Sequence, residues 1–331
     1  MSAAEKTLPL ASQVGGHAGV LTSEDGSLLI KPALAAEVAF YQSVAGDPGF
    51  APLRPYISAE GGAGSFGGAK MSTLRGRARG LLAWSTTSQS LVLENLSHSF
   101  LKPNILDVKL GTVLHGDSAS EEKHARMEKT ARETSSFETG VHLTGFQVSK
   151  CTTSPLASRS TKFYSKSIKP SDLPDGIARF FPLASDAPRK PTARSDSEEA
   201  APSQGTGLPA DIILLVLESL REDIAKVRAA LAEVHMRMVG GSLLIIYEAD
   251  WERAREGLKW LEEADEDEDE ESSGKKRVGP PYLIKLIDFA HTRIVPGIGP
   301  DEGVLKGVDT VLSLLNGRIE QVKQASSVSA L

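Results

Sequence analysis

Apolar residues in this chain recur with two different periods, and the changes of period mark its elements. From about Pro209 to Met238, the residues Ile212, Val216, Leu220, Ile224, Val227, Leu231, Val234 and Met238 fall three or four apart. That spacing predicts one long helix with a single apolar stripe, a packing element rather than a chemical one. Shorter apolar runs predict strands at Ser27–Ile30, Ser90–Leu93, Ser242–Tyr247 and Tyr282–Ile287, and Ala33–Val44 predicts a helix that carries Glu37. The last two strands flank an acidic stretch and predict a hairpin interrupted by an insertion. Chemistry is expected at the strand ends.

Two stretches break the periodic pattern. Ser185–Gly207 is rich in Pro, Ser, Ala and charge, and Glu262–Arg277 reads EEADEDEDEESSGKKR. Both predict flexible insertions, because neither has enough apolar surface to offset the entropy of ordering. The acidic one is a solvated loop with a possible second use as a docking site for basic protein partners. GAGSFG at Gly62–Gly67 satisfies the spacing of a dinucleotide loop but lacks the flanking strand and helix that such a site needs.

Composition narrows the class. The 331 residues are 40% hydrophobic and 24% charged, an ordinary globular balance for two lobes or one domain with long insertions. Ile212–Leu217 is the longest apolar run, far short of the roughly 20 residues of a membrane helix, so no membrane span is expected. The N-terminus has no charged-then-apolar signal pattern, and an intracellular protein is expected. Cys151 is the single cysteine, which excludes an internal disulfide and a thiolate metal cluster. A net charge of -6 argues against direct nucleic-acid binding, and it requires any anionic ligand to be met by a local basic cluster.

Two segments carry candidate chemistry. In KPNILDVKLG, Lys102–Gly111, Asp107 and Lys109 stand two apart, so on an extended chain both side chains emerge on one face. A carboxylate there can accept from ribose hydroxyls while the ammonium neutralises a phosphate, which is most of what phosphoryl transfer asks of a protein. In IKLIDFAHT, Ile284–Thr292, a buried strand delivers Asp288 at its end. A lone aspartate suffices for magnesium, which takes one or two protein carboxylates plus phosphate oxygens and waters.

Taken together, PxxxDxKxG at Pro103–Gly111, SLL at Ser242–Leu244 and IDFAH at Ile287–His291 resemble the inositol polyphosphate kinase family in order and spacing. The resemblance implies an α+β fold of two lobes, similar to protein kinases and ATP-grasp enzymes, with ATP between the lobes and a helical inositol-binding insertion. Residues 1–96 would form the N-terminal lobe and hinge and residues 97–331 the C-terminal lobe. Within the latter, 116–140 would be the inositol-phosphate-binding segment, 185–207 a flexible insertion and 262–277 an acidic flexible loop. ATP and Mg2+ are the implied cofactors, and a soluble inositol polyphosphate the implied substrate.

The same resemblance implies roles. Lys31 matches the ATP-phosphate lysine, and Glu37 its ion-pair partner. Glu94 and Leu96 lie in the interlobe hinge that meets adenine through backbone groups, and Asp107 matches the ribose-binding aspartate. Lys109 matches the lysine that contacts both the inositol substrate and the phosphate in transit, and Asp288 the magnesium ligand. Ser242 falls in the family's SSLL motif, whose first serine is here Gly241. Lys123, Arg126 and Lys129 recur every three residues on a predicted helix and make one face cationic at the family's substrate-binding position. Arg132 and Lys150 add charge. Gln147 stands where relatives often carry an arginine, and His291 resembles a substrate-facing histidine of multikinases and hexakisphosphate kinases. Chain length favours the multikinase branch, acting on inositol tris- and tetrakisphosphate. A hexakisphosphate kinase and a regulatory scaffold for transcription factors are the alternatives. The expected location is nucleus and cytoplasm, with KKR at Lys275–Arg277 as a weak import signal.

Overall fold

The computed structural model describes residues 7–9, 19–57, 89–117, 119–148, 168–184, 207–266 and 279–329. Gly62–Gly67, Lys150, Cys151, residues 185–206 of the first insertion and residues 267–277 of the acidic stretch lie outside the described residues.

The chain begins with an antiparallel sheet of β1 (Thr7–Pro9), β2 (Leu21–Ser23), β3 (Leu28–Ala33) and β4 (Gln89–Glu94), in that order. Helix α1 (Ala35–Gly46) follows β3. The predicted strand end at Ile30 and helix start at Ala33 are therefore both too early. Lys31 and Pro32 belong to β3, where they pair with Leu91 and Ser90. Proline is tolerated there because the strand has already run past its pairing with β2, which ends at Ile30.

Residues 95–102 then carry the chain to a second antiparallel sheet of β5 (Pro103–Leu110), β6 (Val141–Gln147), β8 (Ser242–Glu248) and β9 (Tyr282–Ile287), ordered β6-β5-β8-β9. Both ends of this connection are held. Asn95 donates to the Gly26 carbonyl and accepts from the backbone of Ser97. At the other end, the buried Glu248 carboxylate accepts from the backbone N–H groups of Leu101 and Lys102 at 2.7 and 2.8 Å. Two helices, α2 (Glu121–Glu133) and α3 (Ser136–Thr139), join β5 to β6.

Behind the second sheet lie α4 (Leu173–Phe180), α5 (Ala210–Glu233) and a final helix α7 (Glu302–Ser329), whose apolar stripes share one core with the sheet. The long predicted helix stops at Glu233. Its last turn is replaced by β7 (Met236–Val239), paired antiparallel with β10 (His291–Ile294). Val234, Met236 and Met238 are all buried. A spacing of four residues satisfies both the helical repeat and an even number of strand steps, so the stripe alone could not locate the change. The predicted hairpin of β8 and β9 is present, with Ser242 opposite Ile287 and Tyr247 opposite Tyr282. Its connection includes helix α6 (Trp251–Glu266), so Glu262–Glu266 are helical rather than loop. Ala254 and Leu258 on this helix are buried in the core, an apolar spacing that outweighs the acidic run at its end.

Tyr247 fixes the back of the second sheet. Its ring stacks on Phe181 at 5.1 Å and meets Phe180 edge-on at 5.3 Å, while its hydroxyl donates to the Phe180 carbonyl at 2.8 Å. Burial raises the phenol's pKa above its ordinary 10.0. Tyr247→Phe strands that carbonyl in an apolar core and should cost about 1–3 kcal/mol. Urea denaturation checks this, and an unchanged midpoint would show the bond to be dispensable.

Candidate active site

The two sheets meet at Asp288. β9 delivers it, and the backbone then turns sharply: Asp288 has φ 66°, the single non-glycine residue in the left-handed region among those described. Aspartate tolerates that region better than most residues, and such strain persists only where surrounding contacts hold it. The contacts are on the next residue. Phe289 is fully buried, stacked on Phe40 of α1 at 4.4 Å and edge-on to Tyr41 at 5.7 Å.

The carboxylate thus placed bridges two lysines from different sheets. Lys31 Nζ donates to Oδ1 at 2.8 Å and Lys109 Nζ to Oδ2 at 3.0 Å. Lys31 also donates to the buried Glu37 carboxylate on α1 at 3.0 Å. Lys109 completes its three donors on Ser242 Oγ and the Gly240 carbonyl, both at 2.8 Å. Burial alone would push the Asp288 pKa up, but Lys109 and Lys31 together outweigh it and hold the carboxyl below the ordinary 3.8. Burial likewise pulls Lys31 down, and Asp288 and Glu37 more than restore it above 10.5.

Asp107 lies on the same face as Lys109 but deeper, only 3% exposed. Burial raises its pKa, opposed by Lys109 and by a hydrogen bond from Ser242. Its Oδ1 is buried with no hydrogen-bond partner. A stranded carboxylate oxygen is costly, and it suits a position that a ligand hydroxyl completes. Among the described residues no group of three or more His, Cys, Asp or Glu could cage a metal. Asp288 supplies the one carboxylate that magnesium needs beside phosphate oxygens and water.

Two glycines flank this cluster. Gly111, which ends the first motif, has φ 107° and turns the chain out of β5. At Gly241 a Cβ would come within 2.5 Å of the Met238 side chain, so a serine before Ser242 would require that side chain to shift.

The remaining predicted residues surround the cluster at varying distance. Glu94 ends β4, an edge strand among the described residues, and Leu96 sits in the turn that follows. His291 is exposed at the start of β10, opposite Val239 and thus next to the Gly240 carbonyl that binds Lys109. Lys123, Arg126 and Lys129 are exposed on α2, whose first turn is capped by Ser120. Lys129 pairs with Glu133 at 3.7 Å, while Lys123 and Arg126 are in no ion pair among the described residues. Arg132 packs over the Phe137 ring instead. Gln147 is not brought to the cluster. It lies opposite Ile105, about 13 Å along β5 from Lys109. One neighbour of Lys109 escaped the sequence reading: His142, directly opposite it on β6. No motif points to it, and only strand register could have found it.

The depressed Asp288 pKa has a sign that can be checked. A carboxyl lowered on folding adds stability above its unfolded value, and that contribution is lost as pH falls through the folded value. Carbon-detected NMR should find Asp288 titrating below 3.8. Lys109→Met should move the titration upward, and an unmoved curve would remove Lys109 as the main source of the shift.

Comparison with known proteins agrees with this geometry. The family model described as inositol polyphosphate kinase matches residues 90–316, which contain Asp107, Lys109, Ser242 and Asp288. The inositol polyphosphate multikinase of Saccharomyces cerevisiae is 29% identical, over 92% of this chain and 96% of its own. Mouse inositol hexakisphosphate kinase 3 is 26% identical over 68% of this chain and 50% of its own. Among solved structures, the S. cerevisiae inositol phosphate multikinase Ipk2 in complex with ADP and Mn2+ is similar, with TM-score 0.58 and 27% identity. That match covers 89% of this chain and all of the yeast one. With more than half its length matched, and Asp107, Lys109, Ser242 and Asp288 inside the match, this chain belongs to the inositol polyphosphate kinase family.

Proposed function

We propose that this protein transfers the γ-phosphoryl group of ATP to hydroxyls of soluble inositol polyphosphates, converting inositol tris- and tetrakisphosphate to tetrakis- and pentakisphosphate. The observation that carries the reading is the Asp288 carboxylate held between Lys31 and Lys109 at the junction of the two sheets. The complex of the yeast relative with ADP and Mn2+ supports it, as does the near-complete overlap with a multikinase.

In this reading ATP lies between the sheets, its adenine against the backbone at Glu94 and Leu96 and its ribose completing the stranded oxygen of Asp107. Lys31, kept charged and oriented by Glu37, holds the ATP phosphates. Asp288 would hold Mg2+, which when bound neutralises charge on the phosphate oxygens. Lys109 stands on the opposite side of Asp288 from Lys31 and stabilises the phosphoryl group in transit, with Ser242 and Gly240 fixing its ammonium. The acceptor hydroxyl oxygen forms a bond to the γ-phosphorus as the bond to the ADP oxygen breaks, and the hydroxyl proton is released to solvent. Lys123, Arg126 and Lys129 on α2 receive the acceptor's other phosphates, and His291 borders them.

Two measurements test these assignments. Asp288→Asn keeps the shape of the side chain but not its charge, and turnover should fall by a factor on the order of 100 or more. A wild-type rate would overturn the metal assignment. Replacing Lys123, Arg126 and Lys129 together with alanine should raise the KM for inositol trisphosphate about tenfold or more, with little change for ATP, because the two sites are separate. Equal movement of both KM values would mean that α2 is not the acceptor site. Offering inositol hexakisphosphate in the same assay separates the multikinase from a hexakisphosphate kinase, and turnover of none of these compounds would leave the scaffold reading.

A further inference from the structure

The strand register places four residues in a row across the second sheet. His142 on β6 faces Lys109 on β5, Lys109 faces Ser242 on β8, and Ser242 faces Ile287 on β9. Directly opposed residues in antiparallel pairs project from one face. On β6 the neighbours of His142 confirm which face it takes, since Val141 and Leu143 are buried in the core. His142 therefore shares the open face with Lys109.

The row also has a direction. Asp288, which follows Ile287, lies at its β9 end, and Lys31 reaches Asp288 from the first sheet. The β6 end lies on the far side of Lys109. It is joined through α3 to α2 and its row of Lys123, Arg126 and Lys129, because α3 ends at Thr139 and only Gly140 separates it from β6. If phosphate crosses Lys109 from the Asp288 side, the acceptor occupies the His142 side.

The imidazole lacks the partners of a structural histidine. Its Nδ1 is buried without a hydrogen-bond partner, and neither ring nitrogen has one among the described residues. Burial, and secondarily Lys109, hold its pKa below the ordinary 6.5, so the ring is neutral at neutral pH and carries one proton. Placing that proton on Nε2 avoids a buried N–H with no acceptor and leaves the donor on the accessible atom.

We propose that His142 is an acceptor-binding residue whose Nε2–H donates to a phosphate of the inositol polyphosphate held beside Lys109. This assignment rests on the kinase reading above and adds to it a neutral contact between the charged groups of Lys109 and α2. A neutral donor orients a phosphate without adding a second positive charge beside the Lys109 ammonium.

The test uses the full chain with Mg2+, ATP and inositol trisphosphate. His142→Ala should raise the KM for inositol trisphosphate about five- to tenfold and leave the KM for ATP within about twofold. His142→Gln, which keeps a neutral donor, should recover most of the loss. In the wild-type protein with 15N-labelled histidine, inositol trisphosphate should shift the His142 Nε2 resonance, whereas Mg-ADP should not. That measurement decides the matter even where the alanine variant fails to fold. An active wild-type enzyme whose His142 signal ignores inositol trisphosphate would overturn this inference and leave the kinase reading standing. A folded alanine variant with unchanged KM would do the same. A wild-type protein that neither turns over nor binds inositol trisphosphate would overturn both.

Discussion

One carboxylate between two ammonium groups organises this molecule. Asp288 accepts from Lys31 of the first sheet and Lys109 of the second, and no other described ion pair joins those sheets. Three partly buried charges are tolerable only in combination: separately each would be driven toward its neutral form, whereas together each lowers the cost of the others. The three charges are thus oriented by one another and by Glu37, Ser242 and the Gly240 carbonyl.

Packing holds this electrostatic arrangement in place. Phe289 sits against Phe40 and Tyr41, so the residue after Asp288 ties β9 to the helix that carries Glu37. The ion pair of Lys31 with Glu37 and the turn at Asp288 are thereby coupled through one aromatic contact. The connection between the sheets is anchored to the first sheet by Asn95 and to the second by Glu248.

Charge is distributed to match. The chain carries a net -6, yet the exposed face of α2 presents Lys123, Arg126 and Lys129. Glu121 and Glu122 in the first turn of α2 sit where they complement the helix dipole. Over its whole length α2 balances four basic residues against four acidic ones, so its cationic character belongs to the row of Lys123, Arg126 and Lys129 and not to the helix as a whole.

Much of the site was legible without a structure. Asp107, Lys109, Ser242 and Asp288 stand in short motifs on apolar strands, where a period of two assigns each residue a face, and the hairpin of β8 and β9 followed from the same alternation. Element boundaries were less legible. Val234 and Met238 fit a helix and a strand equally well, and the pairing of β7 with β10 decided between them, a contact between residues more than fifty positions apart. Helix α6 was hidden by the acidic run at its end, because charge density is read locally whereas the burial of Ala254 and Leu258 depends on a distant sheet. Sequence alone singled out Lys31, Glu37, Asp107, Lys109, Ser242 and Asp288, the residues that the fold gathers into one cluster. Only the tertiary structure decided that Lys31 and Lys109 share one carboxylate, that Gln147 lies apart and that His142 stands beside Lys109, because register and sheet-to-sheet contact arise from pairings that no local pattern encodes.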